Sequence, residues 1–188
     1  MKTVSMRTFS DRLLTWYDGH GRKDFPWQIE KTSYSIWVSE IMLQQTQVKT
    51  VIPYFKKFIV SFPTLRVLAQ ASLDEVLHHW SGLGYYARAR NLHKTACFVN
   101  EKFSAQLPLD MDGLCLLPGI GRSTAGAILA LSCNQKHPIL DGNVRRVFTR
   151  HKAIKGWPGK TMVQNVLWKI AEDNTPSNRV ADYTQAIM

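Results

Sequence analysis

The chain has 188 residues, 45% of them apolar, which is room for one large or two small domains with packed cores. Twenty-four Lys and Arg face fourteen Asp and Glu, a formal charge of +10 and a pI near 9.7, and this balance favours a polyanionic partner. Cys97, Cys115 and Cys133 form no C-x-x-C pair, no run of about eighteen apolar residues occurs, and the opening MKTVSMRTFS has no apolar signal core; a disulfide scaffold, a metal knuckle and a membrane span are excluded, and the expectation is a soluble intracellular protein with reduced thiols and no membrane contact.

In chain order the apolar periodicity is helical. Phe9, Leu13, Trp16 and Tyr17 share one face of a first helix that should stop near Gly19 and Gly21. The segment YSIWVSEIMLQQT reads as a helix around Glu40. Val48, Val51, Ile52, Phe55, Phe58, Ile59 and Phe62 form the next stripe, with Lys49, Lys56 and Lys57 outside it and Pro53 predicting a kink. Shorter helices fit 64–70, 72–80, 85–103, 111–116, 122–133, 143–152, 161–173 and 179–188. With no convincing period-two strand, the predicted fold class is all-α. Val180 to Met188 holds no Gly, Asn or Pro stop signal, so the sequence is expected to end inside a helix.

The hairpin LLPGIGRSTAGAILALS packs Pro118, Gly119 and Gly121 just ahead of an Ala- and Leu-rich helix. A helix starting there offers unpaired N–H groups and the positive end of its dipole, a cradle for a phosphate. The same residues also suit an ordinary tight corner between packed helices. Such a cradle grips a nucleic-acid backbone and reads no bases.

Acidic residues are scarce, so two in unusual settings stand out. Glu40 lies among Ile36, Trp37, Val38, Ile41, Met42 and Leu43, where desolvation raises a carboxyl's pKa toward that of a proton donor at neutral pH. An exposed strip beside Ser39, or an Arg partner, is the alternative. Asp141, in PILDGNVRRVF, is either a helix N-cap or a functional anion. Two such carboxylates are what cleavage of a glycosidic bond requires: an acid for the leaving group and an anion for the sugar cation.

The hairpin LPGIGRSTAGAIL, followed by Pro138 and Asp141, resembles that of the helix-hairpin-helix glycosylases. DFPWQ, SEIMLQQTQV, GLGYYARARNLHK and PILDGNVRRV, in that order, closely resemble the MutY-type adenine DNA glycosylases, which remove adenine mispaired with 8-oxoguanine; the resemblance covers essentially all 188 residues. It implies two helical lobes around a DNA cleft. Residues 31–137 would form a six-helix barrel holding the hairpin at about 111–133, and 1–30 with 138–188 a discontinuous second lobe. It implies that Glu40 protonates adenine and then activates water, that Asp141 stabilises the sugar cation, and that Asn143 supports both. Trp27, Gln185 and Ser123 would line the adenine pocket, and Gln45, Thr46, Leu83 and Tyr85 would form the wedge that holds 8-oxoguanine. Gly119, Gly121 and the Ser123 amide would clamp a phosphate, with Arg88, Arg90 and Lys94 on the DNA backbone. The implied partner is double-stranded DNA carrying A·8-oxoguanine or A·G, bound by a monomer in the cytoplasm or, in a bacterium, the nucleoid.

Two alternatives accompany that reading. Endonuclease III-type enzymes carry a lysine where this hairpin has Ser123 and lack a glutamate at the place of Glu40, so they fit less well. The family's [4Fe–4S] cluster is held by four cysteines beyond the final helix, and none of them is in this sequence. The expectation is therefore a chain without that cofactor, with its last helix and Gln185 weakly held, and an inactive or weakly active DNA-binding fragment stays open beside the enzyme.

Overall fold

The computed structural model describes residues 8–188. They form twelve helices and no strand: α1 (Phe9–His20), α2 (Pro26–Ile29), α3 (Ser33–Leu43), α4 (Val48–Ser61), α5 (Leu65–Gln70), α6 (Leu73–Trp80), α7 (Ala87–Lys102), α8 (Met111–Cys115), α9 (Arg122–Cys133), α10 (Gly142–His151), α11 (Thr161–Asn174) and α12 (Val180–Ile187). None is long and apolar enough to cross a membrane.

Local chemistry explains most starts. Thr8 and Asp11, and again Ser72 and Glu75, form reciprocal capping boxes at α1 and α6, while Thr32, Thr64 and Asp110 cap α3, α5 and α8. The short α2 carries Pro26 in its first turn, where the missing N–H is harmless, and no apolar period announces so short an element. α4 continues past Pro53 to Ser61, because Val51, Phe55 and Phe58 anchor its buried face on both sides of the lost bond.

Buried apolar residues gather in two clusters. The larger surrounds α3, whose Ile36, Trp37, Val38, Ile41 and Met42 are all buried, and adds Phe58, Leu68, Trp80, Leu92 and Leu114 from α4 to α8 and Ile128 from α9. The smaller joins Leu14 of α1 to Ile139, Leu140, Val144, Phe148, Leu167, Tyr183 and Ile187. α9 serves both, with Ile128 and Leu129 in the first and Ala127 in the second. Phe25 and Trp27, expected with the discontinuous lobe, belong instead to the larger cluster: Trp27 stacks on Phe25 and meets Phe55 edge-on, each at 5.2 Å between centroids. The part of that expected lobe over residues 1–7 lies outside the described residues.

The final helix is better held than its sequence suggests. Val180, Tyr183, Thr184 and Ile187 are buried, and Asn134 Oδ1 accepts from the Ala181 amide at 3.1 Å, capping α12 from the far end of α9. Arg179, at φ 55°, leads into the helix while its guanidinium forks onto Asp18 of α1.

Between α8 and α9 the chain makes a tight turn in which Ile120 N donates to Leu117 O (3.1 Å). Pro118 and Gly119 fill its central positions, and Gly119 takes φ 81°. An added Cβ would meet strain and stand 3.1 Å from Asn91 Cβ. Gly119→Ala is expected to cost about 1–2 kcal/mol, read as a fall in thermal midpoint; an unchanged midpoint would show that the turn tolerates a side chain.

Candidate active site

A cleft of about 1020 Å³ opens between the two clusters, and Trp27, Glu40, Gln45, Thr46, Ser123, Asp141, Asn143 and Gln185 all line it. Eight residues singled out from scattered stretches of sequence thus meet in one place. Arg22, Gln44, Lys49 and Arg146 join them.

Glu40 sits on the last two turns of α3. Ser39 beside it is fully buried, so the segment has no exposed polar strip, and Glu40 has no ion-pair partner among the described residues. Burial first, and then the facing charge of Asp141, push its pKa up to about 8. It is a carboxylic acid that holds its proton at pH 7.

Asp141 takes the helix N-cap place that the sequence allowed. Its Oδ1 accepts from Val144 N at 2.8 Å, capping α10, while the side chain also faces the cleft. Burial raises its pKa; the amides of Val144 and Asn143, then Arg146 and Arg145, pull the other way and favour the anion. The two carboxyls are therefore in different electrical settings: apolar and unpaired for Glu40, at a helix N-terminus with nearby arginines for Asp141. Asn143 Oδ1 accepts from Arg146 Nη2 one turn along α10. Arg146 was not singled out in sequence, although its three-residue spacing from Asn143 was the available signal.

The loop carrying Asp141 is tied directly to the hairpin helix. Leu140 N donates to Ser123 Oγ at 2.9 Å, and Gly126 lets the Pro138 carbonyl lie against α9, where a Cβ would come within 2.9 Å of that oxygen. Gly121 caps α9 with no side-chain bond, leaving its first amides available, and a Cβ there would meet nothing within 4 Å. Of the hairpin pair, Gly119 is required by the turn, whereas Gly121 keeps the helix entrance open.

Two expected DNA contacts are corrected. Arg88 is buried: its Nη1 donates to the carbonyls of Ile41, Met42 and Gln44 (3.1, 2.7 and 2.6 Å) and its Nη2 to those of Leu83 and Gly84 (3.3 and 3.2 Å). A guanidinium so committed supports backbone rather than reaching a phosphate. Leu83 is 5% exposed and packs in the larger core, so it is no free wedge residue. Both expectations came from the resemblance of GLGYYARAR to the family's motif, whereas here α7 begins only at Ala87 and turns Arg88 inward. Tyr85 and Tyr86 are exposed, as is Arg90, and with Gln44 and Gln45 they line a second cleft of about 680 Å³ beside the first.

The cysteines do not converge. Cys97, Cys115 and Cys133 lie on α7, α8 and α9, and among the described residues no group of three or more His, Cys, Asp or Glu is placed to hold a metal.

This arrangement, two helical clusters with a glycine hairpin and a carboxylate pair at their junction, is that of a known fold family. Residues 38–173 match the HhH-GPD superfamily of base excision DNA repair proteins, and the chain belongs to that superfamily. It is 51% identical over 180 residues to an adenine DNA glycosylase of Buchnera aphidicola subsp. Acyrthosiphon pisum (strain APS), covering 96% of this chain and 51% of that protein. It is 43% identical over 194 residues to the adenine DNA glycosylase of Homo sapiens, covering 98% of this chain and 35% of that protein. The chain spans about half the length, or less, of these curated relatives. Among solved structures it resembles a thermostable thymine-DNA glycosylase (TM-score 0.86, 25% identity, 96% of this chain and 82% of that one). A trapped endonuclease III–DNA covalent intermediate shares the fold (TM-score 0.79, 18% identity, 95% and 80% covered).

Proposed function

We propose that this chain carries the catalytic machinery of an adenine DNA glycosylase, hydrolysing the N-glycosidic bond of adenine opposite 8-oxoguanine or guanine in double-stranded DNA, as a monomer. The observation that carries the reading is Glu40, an acid with a pKa near 8, facing a capping aspartate across a cleft large enough for an extruded base.

The chemistry follows from these environments. Glu40 gives its proton to a ring nitrogen of adenine, the C1′–N bond breaks, and its electron pair leaves with the base. The cation on the sugar is stabilised by the Asp141 carboxylate, held in place by its bond from Val144 N. Glu40, now an anion, takes a proton from water as its oxygen bonds to C1′, which regenerates the acid. Asn143, steadied by Arg146, borders the water's approach. The free amides at the start of α9 suit a DNA phosphate, and the +10 charge suits the duplex.

The test is adenine release from an A·8-oxoguanine duplex by the purified chain. Binding without release would favour the DNA-binding fragment. Because position 123 holds a serine, the product should be an abasic site without strand cleavage. Ser123→Lys places an amine near the sugar and should yield borohydride-trapped DNA adducts absent from the wild type. It also removes the acceptor of the buried Leu140 N–H, so the variant should be destabilised by about 1–3 kcal/mol, read as a lower melting temperature. Strong adducts in the wild type would count against this reading.

A further inference from the structure

Arg88 joins two segments that are forty residues apart in sequence and adjacent in space. Its Nη1 serves only the C-terminal carbonyls of α3 and its cap, Ile41, Met42 and Gln44, while its Nη2 serves only Leu83 and Gly84. The residue that follows each clamped set of carbonyls is strained: Gln45 has φ 57° and Tyr85 φ 50°, neither being glycine. The guanidinium also lies between two rings, 5.4 Å from the centroid of buried Trp80 and 5.3 Å from that of exposed Tyr85. Trp80 Nε1 adds a bond to Gly84 O at 3.1 Å.

Gln45 lines both clefts, so it stands on the ridge between them, and Tyr85 stands beside it. On the function proposed above, a duplex whose adenine enters the carboxylate cleft would carry the opposite base toward this ridge, the wall between the two clefts. Building on the function proposed above, we infer that Arg88 is a positioning residue that locks Gln45 and Tyr85 into one rigid reading element and thereby sets discrimination for the base opposite adenine. Lysine cannot replace it: an ammonium is a point donor, whereas this role takes a planar fork that stacks on a ring and serves two segments at once.

Arg88→Lys tests the idea through two readouts. In single-turnover excision with the active fraction titrated, the preference for A·8-oxoguanine over A·G should fall about tenfold or more. In hydrogen exchange, the Thr46 and Leu83 amides should lose protection together while amides of α9 and α10 keep theirs. A merely structural role would lower the active fraction and leave the preference per active molecule unchanged, and that result, or protection lost evenly along the chain, overturns the inference. If the wild type releases no adenine, the glycosylase reading fails, but the exchange arm still decides whether the two segments are clamped as one. If Arg88→Lys does not fold, exchange on the wild type serves: Thr46 and Leu83 should open with the same free energy and denaturant dependence, and unequal values sink the clamp.

Discussion

Glu40→Gln should abolish adenine release and, at the same time, make the protein more stable at neutral and alkaline pH. Loss of the acid removes general acid–base catalysis, an effect of about 10²–10⁴-fold or more in single-turnover rate. The stability gain comes from proton linkage. Glu40 titrates near 8 in the folded chain against 4.5 as an ordinary glutamate, so the folded state binds the extra proton between those values. Its contribution to stability is whole below about pH 4.5 and is lost as pH rises through about 8. At pH 7 the loss is on the order of 3 kcal/mol. Glutamine, neutral throughout, removes that slope, and for a chain of this size the thermal midpoint should rise by roughly 5–10 °C at pH 7.5 and little at pH 5. Melting curves from pH 5 to 9 with excision assays check both halves. Wild-type excision would remove Glu40 from the chemistry; a midpoint that follows pH just as the wild type does would remove it from its desolvated setting.

Asp141→Asn separates the two duties of that residue. Asparagine caps helices as well as aspartate, so the bond from Val144 N survives and no stability should be lost. The amide has no charge to set against a sugar cation, so excision should fall by orders of magnitude. Asp141→Ala, in contrast, should lose the cap as well, at about 1 kcal/mol. Asp141→Asn also removes the charge facing Glu40, which lowers the Glu40 pKa; desolvation is the larger cause and persists, so the fall in stability with rising pH should be smaller and end at lower pH without vanishing. Full excision by Asp141→Asn, with no loss of stability, would leave Asp141 a cap and nothing more.

Helices with caps and regular apolar stripes were legible in the sequence because their signals are local: Thr8 with Asp11, Ser72 with Glu75, the stripe through Phe55 and Phe58. Glu40 was legible only in part: its apolar run pointed to desolvation, but the same residues suited an exposed strip beside Ser39, and only the packing of α3 buries Ser39. Arg88 was misread because its partners are carbonyls at residues 41–44 and 83–84, and backbone acceptors leave no trace in residue identity. Leu83 was misread with it, since a residue beside two exposed tyrosines gives no local sign that it turns inward. Ser123 was read from a comparison with lysine at that position; its bond to Leu140 N spans seventeen residues and depends on how the loop returns to α9.

That return has a consequence for tolerance to change. Glu40 rides on α3, which packs on α9, and Asp141 ends a loop tied to the same helix, so α9 is the common gauge that spaces acid from anion. At Gly126 that loop lies against the gauge, and an added Cβ would come within 2.9 Å of the Pro138 carbonyl oxygen. One added carbon there would act like a shim under Asp141, widening the jaws while leaving every reacting group intact. Disabling changes in this chain can therefore sit on a helix that never touches the bond being broken.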